Sequence, residues 1–457
     1  MEKQVYQIQH LLPKSYIGKL LLESELPEDP NIIKHFTKLP PIKKELFQVI
    51  CQRCNNKTPH LFGNIPCAKC NGNHIYCRNC IMMGRVMECE YLYACSGEEV
   101  KWTSYNSCLT WEGELTKAQQ HASNQIVDAI QKGQSEFLVW AVCGAGKTEM
   151  LFEGIEVGLK LGKRICIATP RADVVRELKP RIQEAFQEVP VQALYGGSEE
   201  KEGSSQLIIA TTHQLLRFYR TFDIVIIDEI DAFPYHHDPS LSFAVNRAKK
   251  TKHTTIYLTA TPRKDLRLRI ALNKLPHTFV PLRYHGHPLP VPTLQISYSL
   301  QKALNEKKVP QILLHWMKNR QNPNRQLLIF VPTISLADEL TTYLKEQTEV
   351  LFKKVVSVHA EDEDRVVKIN QFRQREIDLL ITTTILERGV TFPSVDVIVL
   401  DAGHEVFDEA ALVQIAGRAG RSADDPTGEI VFLHDGKTTA MVNAVRSIKQ
   451  MNKRGGF

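Results

Sequence analysis

Residues 141–148 read Ala141-Val142-Cys143-Gly144-Ala145-Gly146-Lys147-Thr148. The apolar run before them, 137–142, reads as a buried strand, and residues 149–161 after them read as a helix. Strand, tight glycine-containing turn, Gly-Lys-Thr and helix is the order of a phosphate-binding P-loop. In such a turn the backbone N–H groups of Gly144, Ala145 and Gly146 face inward, and the helix N-terminus adds positive potential. Lys147 reaches the β- and γ-phosphates of ATP, and Thr148 offers its hydroxyl to Mg2+. The first position is Ala141 where Gly is commoner, and a small residue suffices there. An eight-residue match arises by chance in unrelated chains, so the flanking strand and helix carry the reading.

The chain has 457 residues, enough for about three domains. Hydrophobic residues make up 43% and charged residues 24%, an ordinary balance for a soluble globular protein. The formal net charge of +6 allows a polyanionic partner without demanding one. No apolar run approaches the roughly 18 residues of a membrane span, and the first ten residues, MEKQVYQIQH, lack a signal-peptide core. The expected location is the cytoplasm. Nine of the eleven cysteines fall between Cys51 and Cys108. In a reducing compartment such a cluster points to metal rather than disulfides.

Residues 1–48 are Leu/Ile-rich segments broken by prolines, a small lead-in. The cysteine region, 49–110, holds three Cys-x-x-Cys pairs: Cys51/Cys54, Cys67/Cys70 and Cys77/Cys80. Two pairs on facing knuckles supply the four-sulfur shell that Zn2+ accepts. Three pairs are one too many for a single ion. Cys51/Cys54 with Cys77/Cys80 is the favoured set, since it brackets the longer loop. Cys67/Cys70 is either a substitute pair or part of a second site with Cys89 and Cys95, and His60 and His74 are further donors. Buried free thiols are the bland alternative. A redox role fits poorly with three copies in a loop-rich stretch.

At about 115 the composition changes and a helix begins, with Thr116 as its N-cap. Gln119 lies a helix length before the P-loop, and its amide can read the donor and acceptor of an adenine edge. Strand and helix signals then alternate: strands at 164–169, 206–210, 223–227 and 255–258, with a helix at 172–188. That alternation is a parallel sheet covered by helices, whose ligands gather at the carboxyl ends of the strands. The proline-rich 281–292 reads as a connector. The pattern restarts with strands at 327–331, 355–359, 379–382, 395–400 and 429–433, and helices at 409–419 and 438–451. The chain thus divides into 1–48, 49–110, 111–285 and 286–457, the third region carrying the P-loop and the fourth having none.

Asp228 ends an apolar strand and can hold Mg2+ through water, while Glu229 beside it can deprotonate an attacking water. Gln414, Arg418 and Arg421, at i, i+4 and i+7, would share one helix face. Two arginines there suit the charge of a transferring phosphate. They reach the nucleotide only when the two α/β units close. Arg171, Thr211, Thr212, Thr333 and Thr383 stand at strand ends and suit contacts to a nucleic-acid backbone. Read singly, each is more often an ordinary cap or turn.

The ordered set AVCGAGKT, ATPRADVV, TTHQLL, DEID, TAT, TTTILERGV and QIAGRAGR resembles superfamily 2 helicases and translocases, over about 115–433. With the cysteine region before it, nearly the whole chain resembles ComFA-type ATPases of natural transformation. The resemblance implies two tandem RecA-like domains behind a zinc module, with ATP, Mg2+ and Zn2+ as cofactors. It assigns Gln119 to adenine, Lys147 and Thr148 to phosphate and Mg2+, Asp228 and Glu229 to hydrolysis, and Arg418 and Arg421 to the γ-phosphate. Gly389 and Gln414 join the nucleotide set, and Thr259 and Thr261 couple it to DNA. Thr391 stands where many members carry Asp. The implied activity is a DNA-stimulated ATPase that draws in single-stranded DNA. Its implied partners are a ComFC-like phosphoribosyltransferase-fold protein and the membrane uptake channel, which it meets as a peripheral protein at the inner face of the cell membrane. Self-association is a further expectation. The competing readings are a zinc-bearing replication-restart helicase and an ATP-gated nucleic-acid scaffold.

Overall fold

The computed structural model describes residues 12–347 and 351–457; the N-terminal stretch 1–10 read above lies outside them. The chain forms two compact units. The first comprises residues up to Leu115 with Gln120–Trp140 and Thr148–Thr278, and the second comprises Thr116–Gln119, Ala141–Lys147 and Phe279–Phe457.

A seven-stranded sheet runs in the order Val191–Leu194, Leu207–Thr211, Ile165–Thr169, Phe222–Ile227, Lys249–Thr259, Glu136–Ala141, His277–Val280. Its first six strands pair parallel. The central strands ICIAT, LIIAT and FDIVII are buried at every position. That is the pattern of parallel strands covered on both faces, and it explains their continuous apolar runs. A second, six-stranded parallel sheet has the order Thr293–Ile296, Ile430–His434, Val395–Leu400, Gln326–Phe330, Leu379–Thr382, Val355–Val358. Each sheet is the core of a RecA-like domain.

The structure adds three strands that carry no clear signal. His277–Val280 and Thr293–Ile296 flank the proline-rich connector, and Val191–Leu194 is an edge strand. In Thr293–Ile296 no residue is buried, so no apolar pattern betrays it. Lys249–Thr259 is longer than its apolar half because its first residues, KKTKH, are polar. The helix expected over 409–419 ends at Ala416, with Gly417 as its C-cap. Arg418 and Arg421 therefore lie in the turn beyond it, and the single-face argument for them does not hold.

The N-terminal region is built from small antiparallel sheets. Leu20–Leu21 and Thr37–Leu39 flank Leu92–Ala94, so the lead-in and the end of the cysteine region share one sheet. Ile42–Lys44 pairs with Val49–Cys51, across position 48. Phe62–Pro66, Asn73–Cys77 and Val86–Met87 form a further sheet. This region is not set apart from the first parallel sheet: one apolar cluster joins Leu20, Leu22 and the four buried cysteines Cys51, Cys54, Cys77 and Cys80 to Phe218, Phe222 and Leu241.

Two arginines fix the join. Arg164, fully buried, donates from Nη1 to the Ile17 carbonyl (3.2 Å) and from Nη2 to that of Gly203 (2.7 Å). Its Nε donates to Ser205 O at 3.2 Å, and the guanidinium stacks 4.5 Å from the Trp102 ring. Burial pushes its pKa down to about 9, with the Asp223 charge working the other way. Arg247 donates to the carbonyls of Leu216 and Phe218 on one side and of Gln52 and Arg53 on the other.

Arg164→Met keeps the bulk and strips these donors, stranding buried carbonyls. We expect a loss of about 3 kcal/mol or more in denaturant unfolding; an unchanged midpoint would show that the join is not carried by Arg164.

Candidate functional site

The P-loop turn follows strand Glu136–Ala141. Gly144 has φ +80° and Gly146 φ +69°, a left-handed backbone that a side chain would strain. The Ala145 N–H between them donates to the Val142 carbonyl at 3.1 Å and closes the turn. After Thr148 the chain makes one 3-10 turn, Glu149–Leu151, and then the helix Phe152–Lys160.

Thr116 and Gln119 form a reciprocal cap: the Thr116 N–H donates to Gln119 Oε1 (2.8 Å), and the Gln119 N–H donates to Thr116 Oγ1 (3.4 Å). Gln119 Nε2 then donates to the Ala145 carbonyl at 2.9 Å. Both polar ends of the side chain expected at adenine are thus engaged in bracing the turn. In the same unit the Cys143 thiol donates to Gln414 Oε1 at 3.0 Å, and a Cβ on Gly417 would lie 2.5 Å from the Cys143 Cβ. Gly417 is a glycine for space, not for backbone angle.

Strand Phe222–Ile227 delivers Asp228 and Glu229 at the carboxyl end of the first parallel sheet. Asp228 Oδ1 accepts the Glu229 N–H (2.9 Å), and Glu229 takes φ +56°. Glu229 Oε2 is buried and makes no hydrogen bond among the described residues. Two strands meet here through Asp231: Thr259 Oγ1 donates to Oδ1 at 2.6 Å, and Thr261 Oγ1 to Oδ2 at 2.5 Å. Sequence reading singled out both threonines but gave Asp231 no role, because its partners lie 28 and 30 residues away. Arg283 was missed too. It is buried, donates from Nη1 to the Gly420 carbonyl, and its Nε and Nη2 make no hydrogen bond among the described residues. Burial, then the charge of Arg421, pushes its pKa down to about 10.

The two arginines beyond Ala416 part company. Arg418 is buried and donates from Nε to the Glu387 carbonyl at 3.1 Å. Arg421 is half-buried, with Nε on Gly417 O (2.9 Å) and Nη1 on Thr391 Oγ1 (3.3 Å). Thr391, the departure from the commoner Asp, thus meets Arg421. Gly389 has φ +76° in the preceding loop. Of the residues expected at nucleic acid, Thr211 and Thr212 are buried. Arg171 is half-buried at the N-terminus of helix Ala172–Ala185. Thr333 is exposed and its hydroxyl accepts the Leu336 N–H (3.2 Å), and Thr383 is half-buried before the turn Thr384–Leu386.

The sulfurs of Cys51, Cys54, Cys77 and Cys80 lie within 4.8 Å of one another. The Cys51–Cys80 pair is 3.8 Å apart and Cys54–Cys77 3.6 Å. A tetrahedron of ~2.3 Å Zn–S bonds has edges of ~3.8 Å, so the shell fits Zn2+. Four thiolates on a divalent ion leave negative charge, and buried Arg53 and half-buried Arg247 stand by to offset it. Arg53 donates to the carbonyls of Met83 (2.7 Å) and Gly84 (3.2 Å), tying the first knuckle to the end of the second. Cys67, Cys70 and Cys89 form a second cluster of sulfurs within 4.8 Å of one another. Cys95 belongs to neither: it is buried among Leu12, Ile17 and Phe36. His60 also lies outside both clusters.

Two RecA-like sheets, a P-loop, a strand-end acid pair and a hydroxyl-bridged Thr-Ala-Thr define an ATPase of helicase superfamily 2. A family model described as the competence protein ComFA N-terminal domain matches residues 4–94. The type III restriction enzyme res subunit matches 112–264, and the helicase conserved C-terminal domain 306–423. Competence protein ComFA of Bacillus subtilis (strain 168) is 46% identical over 404 residues, covering 88% of this chain and 85% of that protein. Competence protein ComFA of Streptococcus pneumoniae is 38% identical over 442 residues, covering 97% and 99%. The chain belongs to the ComFA family. Among solved structures, S. cerevisiae Dbp5 bound to RNA and ADP BeF3 has a TM-score of 0.56 at 18% identity, covering 74% of this chain and 88% of that one. Mycobacterium smegmatis helicase Lhr bound to ssDNA and AMP-PNP has a TM-score of 0.54 at 17% identity, covering 75% and 50%. Among the described residues no helix is long and apolar enough to cross a membrane.

Asp231→Ala takes the acceptor from two buried hydroxyls. It is expected to cost about 2 kcal/mol in denaturant unfolding, with Thr261→Val, which removes one donor, costing less. Equal stability of all three proteins would show that this triad holds nothing.

Proposed function

We propose that this chain is an ATP-driven translocase of single-stranded DNA, serving the import of transforming DNA. The observation that supports it best is the gathering of the P-loop, Asp228-Glu229 and Thr259-Ala260-Thr261 at one sheet edge in a chain of the ComFA family. ATP is held on the N–H groups of Gly144 and Gly146, and on that of Ala145 once it gives up the Val142 carbonyl, with Lys147 on the outer phosphates. Mg2+, bound through Thr148 and Asp228, would neutralise phosphate charge. Glu229, its Oε2 unengaged, takes the proton of the attacking water. Arg421 stabilises charge on the transferring phosphate, and buried Arg418 positions the loop that carries Glu387. Gln119 braces the turn and reads adenine only by giving up a bond it now makes.

DNA is read along its backbone, with Arg171, Thr333 and Thr383 as contacts. Buried Thr211 and Thr212 serve through their main chain. A strand that moves the Thr259–Thr261 segment moves Asp231, two residues from Glu229, and so reaches the hydrolytic acid through two hydrogen bonds. The buried four-cysteine zinc site keeps the N-terminal region on this unit. A ComFC-like phosphoribosyltransferase-fold protein and the uptake channel are the proposed partners, met by a cytoplasmic protein at the inner face of the membrane.

ATP turnover measured with and without single-stranded DNA, duplex DNA and RNA tests the reading. Single strands should raise it most, independently of sequence, and the effect should fade with salt as counterion release weakens. Lys147→Ala should abolish turnover. Arg421→Ala should cut it by about 10^3-fold with nucleotide affinity little changed. No response to single strands at low salt would leave a scaffold that merely binds nucleotide. Unwinding of forked duplexes would favour the restart helicase.

In the zinc region, Cys51→Ser should lose bound zinc and open residues 49–100 to proteolysis. Wild-type zinc content in that variant would overturn the four-sulfur assignment.

A further inference from the structure

The hairpin Phe62–Pro66/Asn73–Cys77 has a cysteine pair at each end of its second strand. Cys77 opens the pair that belongs to the buried four-sulfur shell. At the other end the six-residue tip, 67–72, carries Cys67 and Cys70. That tip repeats the backbone of the first knuckle. In the first, the Cys51 N–H donates to the Asn56 carbonyl (3.0 Å) and Asn55, just after the second cysteine, has φ +58°. In the tip, the Cys67 N–H donates to the Gly72 carbonyl (2.8 Å) and Asn71, again just after the second cysteine, has φ +52°. Same spacing, same bond and same left-handed residue produce the same fork of two sulfurs.

A third sulfur comes from outside the hairpin. Strand Val86–Met87 pairs with Tyr76 and Cys77, and the turn after it, closed by the Glu90 N–H on the Met87 carbonyl at 3.2 Å, brings Cys89 back to the tip. The three sulfurs lie within 4.8 Å of one another. A nitrogen stands beside one of them: His74 Nε2 is 3.0 Å from Cys70 Sγ, outside the group that the three sulfurs form. Gly72 makes room for that ring, since a Cβ there would meet Nε2 at 2.6 Å.

We propose that Cys67, Cys70 and Cys89 form a second zinc site, which His74 completes by turning from Cys70 Sγ towards the ion. Three thiolates and an imidazole are a complete tetrahedral zinc shell. The site closes a loop from 67 to 89 and fastens the far end of the small sheet, about 13 Å along the strand from the four-sulfur site. The two sites differ in access. Cys51, Cys54, Cys77 and Cys80 are at 0% exposure, whereas Cys70 is exposed and Cys67 and Cys89 are half-buried. The second ion is therefore the labile one, open to chelators while the first is shielded. The inference is independent of the DNA-translocase reading, because metal binding is read without turnover.

The test is zinc content of the full-length chain, purified reduced and without chelator, together with the time course of zinc release to a chromogenic chelator. The expected result is about two ions per chain, released in a fast and a slow phase of equal size. Cys67→Ser/Cys89→Ser should lose the fast phase and one ion and keep the slow one. His74→Ala should speed the fast phase alone. Substitution with Co2+ should give thiolate-to-metal absorption that drops in the double variant. One ion per chain released in a single phase overturns the proposal without recourse to any variant. So does a Cys67–Cys70 disulfide found by mass spectrometry in the reduced preparation.

Discussion

Parallel pairing of strands is the constraint from which the site follows. When Phe222–Ile227, Lys249–Thr259 and Glu136–Ala141 lie side by side in one direction, the residues after each emerge at one edge. At that end the strands deliver the turn after Ala141, the acid pair and the hydroxyl pair, from positions spread between 141 and 261. The same pairing leaves strand ends without onward ladder partners, so side chains must supply bonds there. Asp231, accepting from Thr259 and Thr261, does this between adjacent strands.

The N-terminal region follows a different economy. Its strands are two to five residues long and too small to bury a core of their own. Two devices compensate. Sulfur shells tie short segments together, and buried arginines satisfy carbonyls that short strands leave over. Arg164 and Arg247 each bond carbonyls of both the N-terminal region and the segments flanking strand Leu207–Thr211. The cysteine-rich region is thus part of the unit built on the first parallel sheet, sharing its apolar core.

Strands buried on both faces announce themselves as apolar runs, which is why Ile165–Thr169, Phe222–Ile227, Leu379–Thr382 and Val395–Leu400 were legible to within a residue. Thr293–Ile296 was not, because an exposed edge strand needs no apolar face. The helix carrying Gln414 was legible, but its end was not. Gly417 continues the helical backbone angles, but beyond it the bonding tightens from four residues back to three, with the Arg418 N–H on Ile415 O and the Ala419 N–H on Ala416 O.

By itself the sequence determined the residue types and spacings on which chemistry depends: Gly-Lys-Thr after a strand, adjacent acids after another, and paired cysteines three apart. These are local, and local geometry follows from local spacing. Only the tertiary structure decided which cysteine pairs share a shell, that Cys89 rather than Cys95 approaches Cys67 and Cys70, that Gln119 braces Ala145, and that Asp231 receives both threonines. Each of these joins segments distant in the chain, and their meeting is set by strand order and packing, which no residue's neighbours in sequence can specify.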